Sequence, residues 1–148
     1  MVIADEPTSA LDVSTQKEVI KMIFDLLDKG IFSTMIFITH ELPLLYHVAD
    51  NIAIMYAGEI VEKGTAEQVV KDPRHPYTQA LMGAMLSTEA SQRGRHPVAI
   101  EGAPPSLKNK IVGCRFAPRC SKACPDCKKN TQNLRIVGDR DVRCDYAK

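Results

Sequence analysis

The sequence predicts an α/β protein: a strand–helix–strand unit first, an antiparallel hairpin next, and a small irregular cysteine-rich segment at the end. Three observations carry this reading. Two apolar runs, Met1–Ala4 and Thr34–Ile38, flank a stretch with helical periodicity. Ala57-Gly58 lies between two strand-like runs and marks a tight hairpin. All five cysteines fall between Cys114 and Cys144, where prolines and glycines replace periodic hydrophobics.

Met1-Val2-Ile3-Ala4 reads as a buried parallel strand that ends at Asp5-Glu6-Pro7 and so delivers acidic groups to a sheet edge. From Ser14 to Asp28, Val19, Ile20, Ile23, Phe24, Leu26 and Leu27 share one broad helical face, with Ser14 or Asp12 as cap and Gly30 as stop. Thr34–Ile38 is a second buried strand closing at Thr39-His40. A strand, helix and strand in that order form a βαβ unit, so Asp5, Glu6 and His40 should emerge at one carboxyl edge, where such folds bind ligands. Glu41–Ala49 reads as a short helix with Pro43 in its first turn. Ile52–Tyr56 and Glu59–Glu62 are the hairpin strands, and Thr65–Lys71 is a helix ended by Asp72-Pro73. His75-Pro76-Tyr77-Thr78 opens a helical stretch through Met85, Glu89–Arg95 reads as a linker, and the organisation divides as 1–72 and 73–148.

With 148 residues, 45% hydrophobic and 25% charged, the chain can bury one modest core, which excludes disorder of the whole. No apolar stretch reaches the roughly 18 residues of a membrane-spanning helix, and no basic segment precedes an apolar core at the N-terminus; the chain reads as cytosolic. Charge is uneven: eleven basic and four acidic side chains follow Leu107, against eight and fourteen before it. That basic tail has only Phe116 and Tyr146 as aromatics and no long basic run, which argues against nucleic-acid binding. Five cysteines without an export segment favour a metal site over a disulfide framework.

The chemistry concentrates in Ile3-Ala4-Asp5-Glu6-Pro7-Thr8-Ser9-Ala10-Leu11-Asp12. Phosphoryl transfer to water needs one carboxylate to hold magnesium and a second group to orient the attacking water. Asp5 and Glu6 at a strand end could fill these roles, although an Asp-Glu pair alone is more often a solvated turn. The full string resembles the Walker B motif and D-loop of ATP-binding cassette (ABC) ATPases, and His40 in Ile38-Thr39-His40-Glu41 stands where that family carries its switch histidine. The resemblance implies that Asp5 holds Mg2+ of Mg-ATP through water, Glu6 polarises the attacking water and His40 contacts the γ-phosphate. Ser9 and Asp12 would lie along the seam between two nucleotide-binding subunits. No GxxxxGK[ST] loop, Q-loop or LSGGQ-type segment occurs in the 148 residues. The expectation is therefore the C-terminal part of a P-loop ABC core, from Walker B onward, which by itself cannot cradle ATP phosphates.

The second half narrows the resemblance. His75-Pro76-Tyr77-Thr78-Gln79-Ala80-Leu81, Gly102-Ala103-Pro104-Pro105 and Gly113-Cys114-Arg115-Phe116-Ala117-Pro118-Arg119-Cys120 resemble the C-terminal extension of dipeptide and oligopeptide importer ATPases, which nickel importers share. The resemblance implies ATP-driven import and, as partners, a second ATPase subunit and membrane permease subunits, with an extracytoplasmic peptide-binding protein engaged indirectly. It also implies a location on the inner face of the cell membrane. In that extension four cysteines spaced C-x5-C-x6-C-x16-C carry a [4Fe–4S] cluster, and they match Cys114, Cys120, Cys127 and Cys144. Tetrahedral Zn2+ takes the same ligand set. Cys124 is extra to the pattern and forms with Cys127 a C-x2-C pair that a zinc knuckle or a dithiol could use. The other function class is a stand-alone metal or iron–sulfur module with a vestigial ATPase remnant.

Overall fold

In the computed structural model, which describes residues 1–86 and 100–147, the chain is α/β with parallel and antiparallel pairing and forms two compact units, Met1–Leu42 and Pro43–Lys148. The linker expected at Glu89–Arg95 lies outside the described residues. Residue 73 falls inside the second unit, and strands from both sides of it share one sheet.

The first unit is the βαβ arrangement that the apolar runs predict. β1 (Val2–Asp5) pairs in parallel with β2 (Met35–Ile38), in the register Val2 to Met35 through Asp5 to Ile38. α1 (Val13–Asp28) connects them. Asp12 caps α1, its Oδ1 accepting from the Ser14 and Thr15 amides at 3.0 and 3.1 Å. Gly30, at φ 69°, closes the helix with its amide on the Leu27 carbonyl. One expectation needs correction: the strands are not buried. Ile3, Ile36 and Ile38 are exposed, and α1 has no fully buried residue. A parallel strand is buried only when both sheet faces are covered, and this unit supplies a single helix.

The second unit is built on a four-stranded antiparallel sheet in the order β3-β4-β6-β5. α2 (Leu42–Val48) precedes β3 (Asn51–Tyr56), whose strict alternation buries Ile52, Ile54 and Tyr56 and exposes the residues between them. The hairpin to β4 (Glu59–Thr65) turns through Ala57 and Gly58, both at positive φ, as the tight right-twisting connection requires. Thr65 and Gln68 form a reciprocal capping box that starts α3 (Ala66–Lys71). α4 (Pro76–Leu86) follows. The tail is less irregular than the sequence predicts: α5 (Pro125–Lys129) and the hairpin of β5 (Arg135–Val137) with β6 (Arg140–Val142) extend the sheet. β6 pairs Glu62 with Val142 and Lys63 with Asp141. Val61, Val69, Val70, Met82, Phe116, Val137 and Val142 complete the core, each large apolar side chain contributing about 1.5–3 kcal/mol. Among the described residues no helix is long and apolar enough to cross a membrane.

A buried carboxylate joins this sheet to α4. Glu62 is fully buried, and its Oε1 and Oε2 accept from the Arg74 and His75 amides, each at 2.9 Å, just before the first turn of α4. The Arg140 guanidinium, itself 2% exposed, lies 3.8 Å away and also donates to the Gln68 and Asp72 carbonyls. Glu62→Gln keeps the shape but removes the charge and turns a donor toward the two amides. It is expected to cost about 2 kcal/mol, the scale of a charged hydrogen bond, read as a lower urea midpoint by circular dichroism.

Candidate functional site

The first cluster sits at the carboxyl edge of β1 and β2. Asp5 ends β1, and Glu6 continues the ladder by donating its amide to the Ile38 carbonyl at 2.8 Å. Glu6 has φ 45°, the left-handed region that a non-glycine residue occupies at a cost of order 1 kcal/mol. This bends the chain so that the Glu6 side chain meets His40, with Oε1 and Nδ1 at 3.0 Å and both groups open to solvent. The structure thus brings together Glu6 and His40, 34 residues apart, with Asp5 adjacent in sequence.

The following turn is held by Ser9 N on the Glu6 carbonyl and Leu11 N on the Thr8 carbonyl. Asp12 is fully engaged as the cap, and the Thr15 hydroxyl on its Oδ2 at 2.7 Å is the main cause of a lowered carboxyl pKa. Sequence reasoning missed Gln16. Its Nε2 donates to the Thr8 carbonyl at 3.2 Å and to Glu41 Oε1 at 3.0 Å, tying the turn after Glu6 to the residue after His40. No motif marks it; only its place one helical turn after the cap could have suggested the contact.

The second cluster lies in the cysteine-rich tail. Cys114, Cys120, Cys127 and Cys144 line one cavity of about 320 Å³ together with His75 and Phe116, and Cys124 does not. Gly113 makes the approach of two segments possible: it has φ 79°, and a Cβ there would fall 2.6 Å from the Cys127 carbonyl oxygen. Cys114 N then donates to the Cys127 carbonyl at 2.7 Å. A 3-10 turn at Ala117–Arg119 brings Cys120 back toward Cys114. Cys144 follows β6, where Arg143 N donates to the Val61 carbonyl at 2.8 Å.

Burial is the main force raising the Cys114, Cys120 and Cys127 thiols, reinforced by their neighbouring cysteines; for Cys114 that neighbour is Cys144. Cys124 is shifted the other way, first by its hydrogen bond with the Tyr146 hydroxyl and next by Cys127, whose Sγ is 3.1 Å away. Among the described residues no group of three or more ligating side chains converges closely enough for a single metal ion. A tetrahedral zinc needs four sulfurs at about 2.3 Å from one point, whereas a multi-iron cluster spreads its four thiolates around a larger body.

His75 is the buried base of this cavity. Its Nδ1 accepts from the Tyr77 amide at 3.1 Å, its proton goes to the Arg143 carbonyl, and burial lowers its pKa from 6.5 to about 4. The unfolded imidazole takes a proton near pH 6.5 and the folded one only near 4. Stability is therefore full above 6.5, falls as pH drops through this window and levels off below 4. The metal-free chain is expected to lose about 2 kcal/mol between pH 7.5 and pH 5, read as urea midpoints, and His75→Gln should flatten that slope.

Residues 61–127 match the family described as the oligopeptide/dipeptide transporter, C-terminal region. The chain is 42% identical over 134 residues to the dipeptide transport ATP-binding protein DppF of Haemophilus influenzae, covering 90% of this chain and 40% of that protein. It is 40% identical over 144 residues to DppF of Escherichia coli, covering 97% and 42%. With the oligopeptide transport ATP-binding protein OppD of Bacillus subtilis it shares 47% identity over 123 residues, covering 83% and 34%. The chain thus spans between about a third and two fifths of the length of these relatives. Residues 61–127 thus carry the C-terminal region of the oligopeptide/dipeptide transporter family, and the chain aligns with these ATP-binding proteins along most of its length.

Proposed function

We propose that the chain supplies the water-activating edge and the C-terminal extension of an ABC ATPase subunit that powers dipeptide or oligopeptide import, with nickel as a related cargo. The observation that carries this reading is the 3.0 Å contact between Glu6 and His40 on adjacent parallel strand ends. Glu6 can take a proton from water while its oxygen stays oriented by His40, and His40 would contact the γ-phosphate of bound ATP. Asp5, at the same edge, would be the carboxylate that holds Mg2+. Ser9 and Asp12 lie at the seam with a second ATPase subunit, where Asp12 acts by fixing the start of α1. The other partners are membrane permease subunits, with a peptide-binding protein beyond them, and the subunit works at the inner face of the membrane.

The tail would carry a [4Fe–4S] cluster on Cys114, Cys120, Cys127 and Cys144, with Zn2+ as the alternative; the observation behind a shared ligand set is that these four thiols line one cavity. When bound, the cluster supplies four covalent ties and a redox centre. The chain's own part is to exclude water with Phe116 and to bring in positive charge through its basic tail. Loading the chain anaerobically with iron and sulfide is expected to yield about four of each per chain with broad visible absorbance. One equivalent of zinc with no iron would overturn the cluster.

A further inference from the structure

We propose that Cys124 and Cys127 are a redox-active dithiol that closes reversibly to a disulfide, a modification site that shares only Cys127 with the four-cysteine cavity. The two sulfurs lie 3.1 Å apart. Local backbone holds them there: Cys124 stands immediately before α5, Pro125 opens the helix, and Cys127 follows one turn later with its amide on the Cys124 carbonyl at 3.1 Å. Closing the bond therefore requires little movement of the chain, the condition a disulfide's narrow geometry imposes. The two thiols also differ in access. Cys124 is partly exposed and stands outside the cavity, whereas Cys127 is 8% exposed and lines it. A reagent in solution meets Cys124 first, and Cys127 is in place to resolve the product.

The oxidant is a small disulfide such as oxidised glutathione. The Cys124 thiolate attacks one glutathione sulfur, the S–S bond breaks and one glutathione thiolate leaves. The Cys127 thiolate then attacks the Cys124 sulfur of the mixed disulfide and expels the second glutathione thiolate. Two electrons pass from the dithiol to glutathione, and the two thiol protons pass to solvent or to the leaving thiolates. One consequence rests on the metal reading above: Cys127 in the bridge is withdrawn from the cavity, so oxidation and metal loading exclude one another.

The experiment treats the metal-free full chain with oxidised glutathione under argon, quenches with acid and an alkylating reagent, and maps linked peptides by mass spectrometry. The expected result is an internal Cys124–Cys127 link with no lasting glutathione adduct. Cys127→Ser should trap glutathione on Cys124, and Cys124→Ser should slow glutathione attachment at Cys127 by at least about tenfold, as for a buried thiol. A link from Cys127 to Cys114, or an adduct that persists on Cys124 in the unaltered chain, overturns the proposal. Iron and sulfide are then offered to both forms: uptake by the reduced form alone supports the mutual exclusion, and equal uptake by both overturns it. Uptake by neither overturns the metal reading alone and leaves the mapped bridge as support for the dithiol.

Discussion

Serine at Cys114, Cys120, Cys127 or Cys144 is expected to abolish iron and sulfide loading of the reduced chain, while serine at Cys124 leaves about four irons in place. The contrast follows from geometry. The first four thiols line the cavity and Cys124 does not, although Cys124 is the nearest cysteine to Cys127 in sequence and its sulfur is 3.1 Å from that of Cys127. The cavity is walled by separate segments, so losing one thiolate should also free its segment: limited proteolysis should cut after Gly113 faster in these four variants than in Cys124→Ser. Iron, sulfide and zinc per chain are the measurements. Loss of metal in Cys124→Ser with loading preserved in Cys114→Ser would move the site to the local C-x2-C pair.

In a complete subunit that also carries a glycine-rich phosphate loop, Glu6→Gln is expected to leave ATP binding intact and to cut turnover by at least about 100-fold, the scale of a lost general base. Glutamine fits the same left-handed backbone site and still meets His40, but it cannot take a proton from water. His40→Ala removes the group that holds the Glu6 carboxylate and should slow turnover similarly. The measurements are steady-state phosphate release and equilibrium nucleotide binding on each variant. Turnover at the parent rate in both would remove Glu6 and His40 from the catalytic roles proposed for them.

Much of the first unit was legible because its elements are local or strongly patterned. The 16 residues of α1 carry a clear apolar face, and of the two caps the sequence offers, Ser14 and Asp12, the structure uses Asp12. That Asp5, Glu6 and His40 share one carboxyl edge followed from the parallel topology, whereas the contact of Glu6 with His40 depends on the left-handed backbone at Glu6, which no pattern announced. What the sequence concealed was burial: an apolar run says that a strand can be covered, not that a neighbour covers it, and Ile3 and Ile36 are exposed. In the second unit, Val137-Gly138-Asp139-Arg140 contains a Gly-Asp pair between strand residues, a hairpin cue that passes unnoticed beside the cysteines. Its strands have three residues each, too short for periodicity to register. Glu62 and Arg140 were illegible for another reason: charged residues are buried only through tertiary partners, and those partners come from α3 and the turn between α3 and α4.

The strand order β3-β4-β6-β5 has a consequence for synthesis on the ribosome. β4 finds β3 at once, but Glu62 and Val142, paired across its other side, are about eighty residues apart in sequence. At about 5–20 residues per second, that edge waits roughly 4–16 s for β6 to emerge. An open edge is a template for strands of other nascent chains, and a charged residue on it is the common protection. Lys63 is such a residue on β4: it is exposed, and when β6 arrives it pairs with Asp141. The same lysine can thus repel neighbouring chains early and help select the correct register late.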